Sequence, residues 1–186
     1  MNGNTVKTIA LGVTGSIAAY KAAEICSRLV QAGVDVNVLM TEAATKLVGE
    51  RTFLTLSRNP VVSNLWNVPE WRPEHIELAE RTSLLVVAPC SANFIAKHAA
   101  GIADDALTTY ALAHDGPVIL APAMNPRMWA HPATRTNVGT LKERGVEFVG
   151  PVDGRVACGE GGVGRMSDVD SIVERSLAAL NAESGR

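Results

Sequence analysis

The chain has 186 residues, 47% of them apolar and 19% charged, with a formal net charge of −2. That suits one domain, residues 1–186, with a substantial core, excludes a disordered chain, and gives no reason to expect nucleic acid or an anionic membrane as a partner. Cys26, Cys90 and Cys158 are far apart with no CxxC, and neither a secretory leader pattern nor an apolar run of membrane-spanning length is present; the expectation is reduced thiols in a cytoplasmic protein.

Apolar strand-like runs alternate with helical patterns, which predicts a parallel sheet wrapped by helices, a doubly wound Rossmann- or flavodoxin-like α/β fold. The first strand reads Thr8 to Val13 and breaks at Thr14-Gly15-Ser16. Ser16 is an N-cap candidate for a helix carrying Ile17, Ala18, Ala22, Ile25, Cys26 and Leu29 at helical spacing up to Gly33. Val34 to Met40 reads as the second strand, 41 to 58 as helical, and 59 to 73, with Pro60, Pro69 and Pro73, as irregular. Leu84 to Ala88 and Val118 to Ala121 have the continuous apolar character of strands buried on both faces. Val146 to Val149 is expected as a last short strand, 150 to 166 as a glycine-rich loop, and Ser167 as the start of a final helix to about Leu180.

Two of the buried strands end alike, in Pro89-Cys90-Ser91-Ala92-Asn93 and Pro122-Ala123-Met124-Asn125. In open parallel sheets ligands lie beyond the carboxyl ends of the strands, so polar residues just after these strands are where a site belongs. The Gly15-Ser16 turn suits either a tight turn with an N-cap or a phosphate at a helix N-terminus, and without a dinucleotide fingerprint there a mononucleotide is the better ligand. A literal GxGxxG at Gly159, Gly161 and Gly164 is not led into by a predicted strand and reads instead as a mobile flap. Read alone, Cys158 is a small buried residue, His75 a core histidine beside Leu78 and Ala79, Asn125 the N-cap before Pro126, and Met124, Met128 and Trp129 core.

In this order, however, the motifs resemble those of the homo-oligomeric flavin-containing cysteine decarboxylases over almost the whole chain. The resemblance rests on Gly15-Ser16-Ile17-Ala18-Ala19-Tyr20-Lys21, His75, Pro89-Cys90-Ser91-Ala92-Asn93 in the place of PASANT, and Pro122 to Trp129 as PxMNxxMW. It is completed by Ala157-Cys158-Gly159-Glu160-Gly161-Gly162-Val163-Gly164-Arg165-Met166 as the substrate clamp, about 152–166. Clamp and histidine together mark the phosphopantothenoylcysteine branch.

The resemblance implies FMN held by Gly15, Ser16, Ile17, Thr41, Ser91, Ala92, Asn93, Phe94 and Ala123, with no metal. It implies His75 as base and Cys158 as proton donor. Asn125 would grip the substrate carboxylate, with Met128, Ala157, Gly159 and Arg165 as further substrate contacts. It also implies a trimer or dodecamer with shared sites. Cys90 and Phe94 depart from the usual alanine and threonine, and no catalytic role is assigned to Cys90. The implied reaction is FMN-dependent decarboxylation of 4'-phosphopantothenoylcysteine to 4'-phosphopantetheine, a lyase step of coenzyme A synthesis. Oxidising the cysteine CH2–SH to a thioaldehyde supplies an electron sink, so that loss of CO2 leaves a stabilised enethiolate. The rivals are a peptidyl-cysteine decarboxylase, a flavin prenyltransferase, which has no use for a cysteine-bearing clamp, and a regulatory flavoprotein. With one helix after the clamp, the chain is expected to be a stand-alone enzyme or the N-terminal half of a bifunctional one.

Overall fold

A computed structural model describes residues 7–66, 74–155, 159 and 161–183. The elements in chain order are β1 (Thr8–Val13), α1 (Ala19–Gln31), β2 (Asp35–Met40), α2 (Glu42–Thr45), α3 (Glu50–Ser57) and β3 (Val61–Val62). There follow α4 (Glu74–Arg81), β4 (Leu84–Cys90), α5 (Ala92–Ala100), α6 (Ala106–Ala113), β5 (Val118–Pro122), α7 (Pro126–Ala130), α8 (Pro132–Glu143) and β6 (Glu147–Phe148). A hairpin, β7 (Val152–Arg155) and β8 (Gly161–Arg165), and then α9 (Val169–Glu183) complete the order.

Six strands form one parallel sheet in the order β3-β2-β1-β4-β5-β6. The chain therefore winds outward in one direction from β1 and then reverses to β4, and the switch between these two central strands opens a crevice at their carboxyl ends. All seven residues of β4 are buried, as a strand covered on both faces requires. Alternation of side chains sorts the core into two layers. Ile9, Leu11 and Val13 face α1, Phe53 of α3 and Ile172 of α9; Ala10, Leu85 and Val87 face Phe94 and Ile95 of α5, Leu107 and Tyr110 of α6 and Leu141 of α8. Each fully buried Leu, Ile or Val contributes about 1.5–3 kcal/mol relative to an exposed one. No described helix is long and apolar enough to cross a membrane.

The expected doubly wound α/β sheet is present, with several local corrections. The 41–58 stretch is two helices, because Gly49, extended at φ −70 and ψ 140, caps a new start at Glu50. The irregular stretch after it contains β3, paired to β2 through Val38↔Val61. Helix α1 begins at Ala19, with Ala18 at the cap position and no side-chain cap. Ser16 is therefore not the N-cap; its carbonyl accepts from the Ala19 N–H at 2.8 Å in the turn that leads into the helix. The final helix opens at Val169, two residues after Ser167. The 150–166 stretch is an antiparallel hairpin along its described length, not a loop, and β6 is therefore not the last strand.

Candidate active site

A cavity of about 1090 Å3 lies at the carboxyl edge of the sheet. That exceeds the roughly 300–1,000 Å3 of ordinary small-molecule sites and leaves room for two ligands side by side. Its floor is a row of strand exits stitched to one another by backbone bonds. The Thr41 N–H donates to the Val13 carbonyl at 3.0 Å, and the Ala123 N–H to the Cys90 carbonyl at 3.0 Å. Between them Thr14, 1% exposed, joins the two sides of the switch point: its hydroxyl donates to the Pro89 carbonyl at 2.7 Å and accepts from the Ser91 N–H at 2.9 Å. The exits of β2, β1, β4 and β5 are thereby held in fixed register.

Helices start directly from these exits, and their caps are specific. The Thr41 hydroxyl accepts from the Ala44 N–H, and the Ser91 hydroxyl from the Phe94 N–H, both at 3.3 Å. Asn125 Oδ1 accepts from the Arg127 N–H at 2.8 Å, with Pro126 at the first helical position. Helix α1 differs, since no side chain caps it while Gly15, Ser16, Ile17 and Ala18 line the cavity before it. An uncapped N-terminus offers N–H donors and the positive end of the helix dipole to an anion. Gly15 lies so close to α2 that a Cβ there would sit 2.4 Å from the Ala43 Cβ. A tight, donor-rich turn in which Gly15 carries no side chain suits a phosphate, and a mononucleotide such as FMN fits this wall.

The opposite wall is the hairpin. The Met124 N–H donates to the Gly164 carbonyl at 2.9 Å. A Cβ on Gly164 would lie 2.4 Å from the Met124 carbonyl oxygen and 3.0 Å from the Pro126 nitrogen, and one on Gly162 would lie 3.2 Å from the Pro126 Cβ. These glycines let β8 dock its backbone on the loop carrying Asn125. The flap expected from the glycine content is thus, in its described part, a strand seated on the β5 exit.

Of the residues singled out in the sequence, Gly15, Ser16, Ile17, Thr41, Ser91, Ala92, Asn93, Phe94, Ala123, Asn125, Met128 and Arg165 all line this one cavity. Met128 is 49% exposed and belongs to the cavity wall, not the core; Trp129 is half-buried against the core layer of α5 and α6. Gly159 is described but is not part of the lining. The backbone of His75 lies in the first turn of α4, while its side chain and Ala157 and Cys158 lie outside the described residues. Cys26 and Cys90 are fully buried and pushed away from thiolate chemistry by desolvation, Cys26 to about 11, so neither is an accessible nucleophile.

Glu42, Ala43, Lys97, Asp104, Asp105, Thr108 and Arg155 also line the cavity and were not singled out in the sequence. Lys97 reaches Asp104 at 2.7 Å and Asp105 at 3.6 Å; the hydrogen bond to Asp104 is the main cause of the raised Lys97 pKa and the lowered Asp104 pKa. Asp105 also closes a capping box with Thr108 at the start of α6, a D-x-x-T signal legible in sequence. Arg155 lines the cavity from β7, and nothing local announces it.

Residues 2–181 match the protein family described as Flavoprotein. The Coenzyme A biosynthesis bifunctional protein CoaBC of Bacillus subtilis is 44% identical over 171 residues, covering 90% of this chain and 42% of that protein. The chain thus spans less than half the length of such curated relatives. Among solved structures, a PPC decarboxylase mutant complexed with pantothenoylaminoethenethiol superposes with a TM-score of 0.83 at 28% identity, covering 93% of this chain and 97% of that one. The FMN-dependent cysteine decarboxylase SpaF gives 0.81 at 31% identity, covering 97% and 98%.

Proposed function

The chain belongs to the Flavoprotein family, and we propose that within it this protein binds FMN and removes CO2 from the cysteine of 4'-phosphopantothenoylcysteine, giving 4'-phosphopantetheine for coenzyme A. The observation that carries this reading is one cavity with two unlike walls, an uncapped helix start beside Gly15 for a phosphate and a strand docked on the Asn125 loop opposite. The likeness to a PPC decarboxylase along nearly the whole of both chains supports the substrate class.

FMN, held along the wall of Gly15 to Ala18 and Ser91 to Phe94, would supply the hydride acceptor for converting the substrate CH2–SH into a C=S group able to take the electrons left by CO2, and would return the same hydride in the final reduction, so that the net reaction is redox-neutral. The rest falls to side chains of this chain. Asn125 is held by its cap bond to the Arg127 N–H, which fixes its amide for the substrate carboxylate. A neutral donor suits a group that loses its charge as the reaction proceeds, because a cation would stabilise the starting carboxylate more than the transition state. In this reading His75 accepts the thiol proton, Cys158 returns a proton to the product carbon, and the hairpin keeps water away. We also propose that the protein works as a cytoplasmic homo-oligomer, with this chain as one decarboxylase domain. The first test is the colour of the purified protein: it should be yellow and release FMN, not FAD, on denaturation, and a folded protein that neither carries nor takes up FMN contradicts the proposal.

A further inference from the structure

Among the described residues, the charged side chains lining the cavity are unevenly matched. Glu42 pairs with Lys46 at 2.8 Å, and Asp104 and Asp105 with Lys97. All three carboxylates lie on the α2 and α5–α6 sides. The hairpin side contributes two arginines and no described acid. Arg155 has no carboxylate in salt-bridge range among the described residues, and Arg165 reaches only Asp168, at 3.9 Å. The Arg165 Nε is buried with no acceptor. Its side chain crosses to β7: a Cβ on Gly154 would lie 2.7 Å from Nε and 3.3 Å from Cζ. The backbone of β8 abuts the Asn125 loop, but its charge is carried over Gly154, the residue before Arg155.

The buried, unsatisfied Arg165 Nε and the exposed guanidinium of Arg155, one residue beyond the glycine that Arg165 crosses, together offer an anion charge-assisted contacts. The flavin phosphate belongs at the other wall, beside Gly15. The reacting carboxylate is served by a neutral amide, for the reason given above. The proposed substrate carries one more anion, its phosphate ester, whose charge persists from substrate to product. We propose that Arg155, together with Arg165, forms the subsite for this phosphate, and that Arg155 determines the preference for phosphorylated over unphosphorylated substrates. The inference rests on the decarboxylase reading and adds a residue and a specificity to it.

The test compares 4'-phosphopantothenoylcysteine with pantothenoylcysteine on flavin-loaded wild type, Arg155→Gln and Arg155→Lys, with flavin content and circular dichroism as controls of folding. Loss of a charge-assisted contact changes affinity by about 10- to 100-fold. The ratio of kcat/KM values for the two substrates should therefore fall by about 10- to 100-fold in Arg155→Gln, through KM and not kcat. Arg155→Lys should recover part of the ratio, keeping the charge but losing the bidentate fork. An unchanged ratio, with both substrates falling together or neither falling, overturns the subsite and leaves the decarboxylase reading standing. Wild type that turns over neither substrate overturns both.

Discussion

Replacing Gly164 by alanine separates two explanations of a glycine-rich segment, mobility and close approach. The three atoms nearest an added Cβ are all backbone, the Met124 carbonyl oxygen at 2.4 Å, the Pro126 nitrogen at 3.0 Å and the Asn125 carbonyl carbon at 3.2 Å. No rotamer relieves such a contact, so β8 must withdraw until the first distance exceeds 3.0 Å. The 2.9 Å bond from the Met124 N–H to the Gly164 carbonyl is lost or stretched on the way. Overpacking costs about 1–3 kcal/mol and a lost hydrogen bond about 0.5–1.5 kcal/mol, so roughly 1.5–4.5 kcal/mol favours detachment of the strand. Because Arg165 and Asn125 are then displaced from each other, turnover should fall by about 100-fold, the typical result of a 1 Å misplacement. Gly161 is the matched control, on the same strand but with nothing within 4 Å of an added Cβ. Steady-state kinetics and thermal melts of Gly164→Ala and Gly161→Ala, both flavin-loaded, make the comparison. If the two variants behave alike, the glycines serve chain flexibility and the docking argument is wrong.

Two other perturbations follow from the same geometry. Gly15→Ala pushes a Cβ to within 2.4 Å of the Ala43 Cβ; at about 1–3 kcal/mol of overpacking this should weaken FMN binding roughly 5- to 150-fold, read as loss of bound flavin on dialysis, with circular dichroism unchanged. The thiols of Cys26 and Cys90 are protonated and buried, so the folded state holds their protons more tightly than the unfolded chain. The stability this provides is fully present below the unfolded thiol pKa of about 8.5 and declines as pH rises toward the folded value of about 11 for Cys26. Denaturant midpoints measured across that window should fall, and native protein at pH 8 should leave both thiols unlabelled by a disulfide reagent; rapid labelling of either refutes their burial.

The sheet was legible because parallel strands covered on both faces are nearly continuous apolar runs, and β4, buried along its whole length, is the clearest case. The place of the candidate cavity was legible for a related reason: Ser91 and Ala123 follow such strands directly, Asn125 comes two residues later, and the fold brings strand exits to one edge. The hairpin was not, since pattern reading weighs side chains and Gly161, Gly162 and Gly164 have none; β8 is specified by how closely its backbone approaches Met124 and Pro126. Thr14 was passed over because its hydroxyl bonds Pro89 and Ser91, 75 and 77 positions away. Arg155 and Lys97 enter the cavity only through the packing of distant elements, where local sequence carries no signal.

The most direct measurement incubates flavin-loaded protein with 4'-phosphopantothenoylcysteine under anaerobic conditions and follows the organic product and CO2 by mass spectrometry, with the flavin spectrum recorded alongside. The expected result is 4'-phosphopantetheine and CO2 in equal amounts over many turnovers, with the flavin oxidised again when substrate is exhausted. Unchanged substrate in the presence of folded, FMN-loaded protein contradicts it.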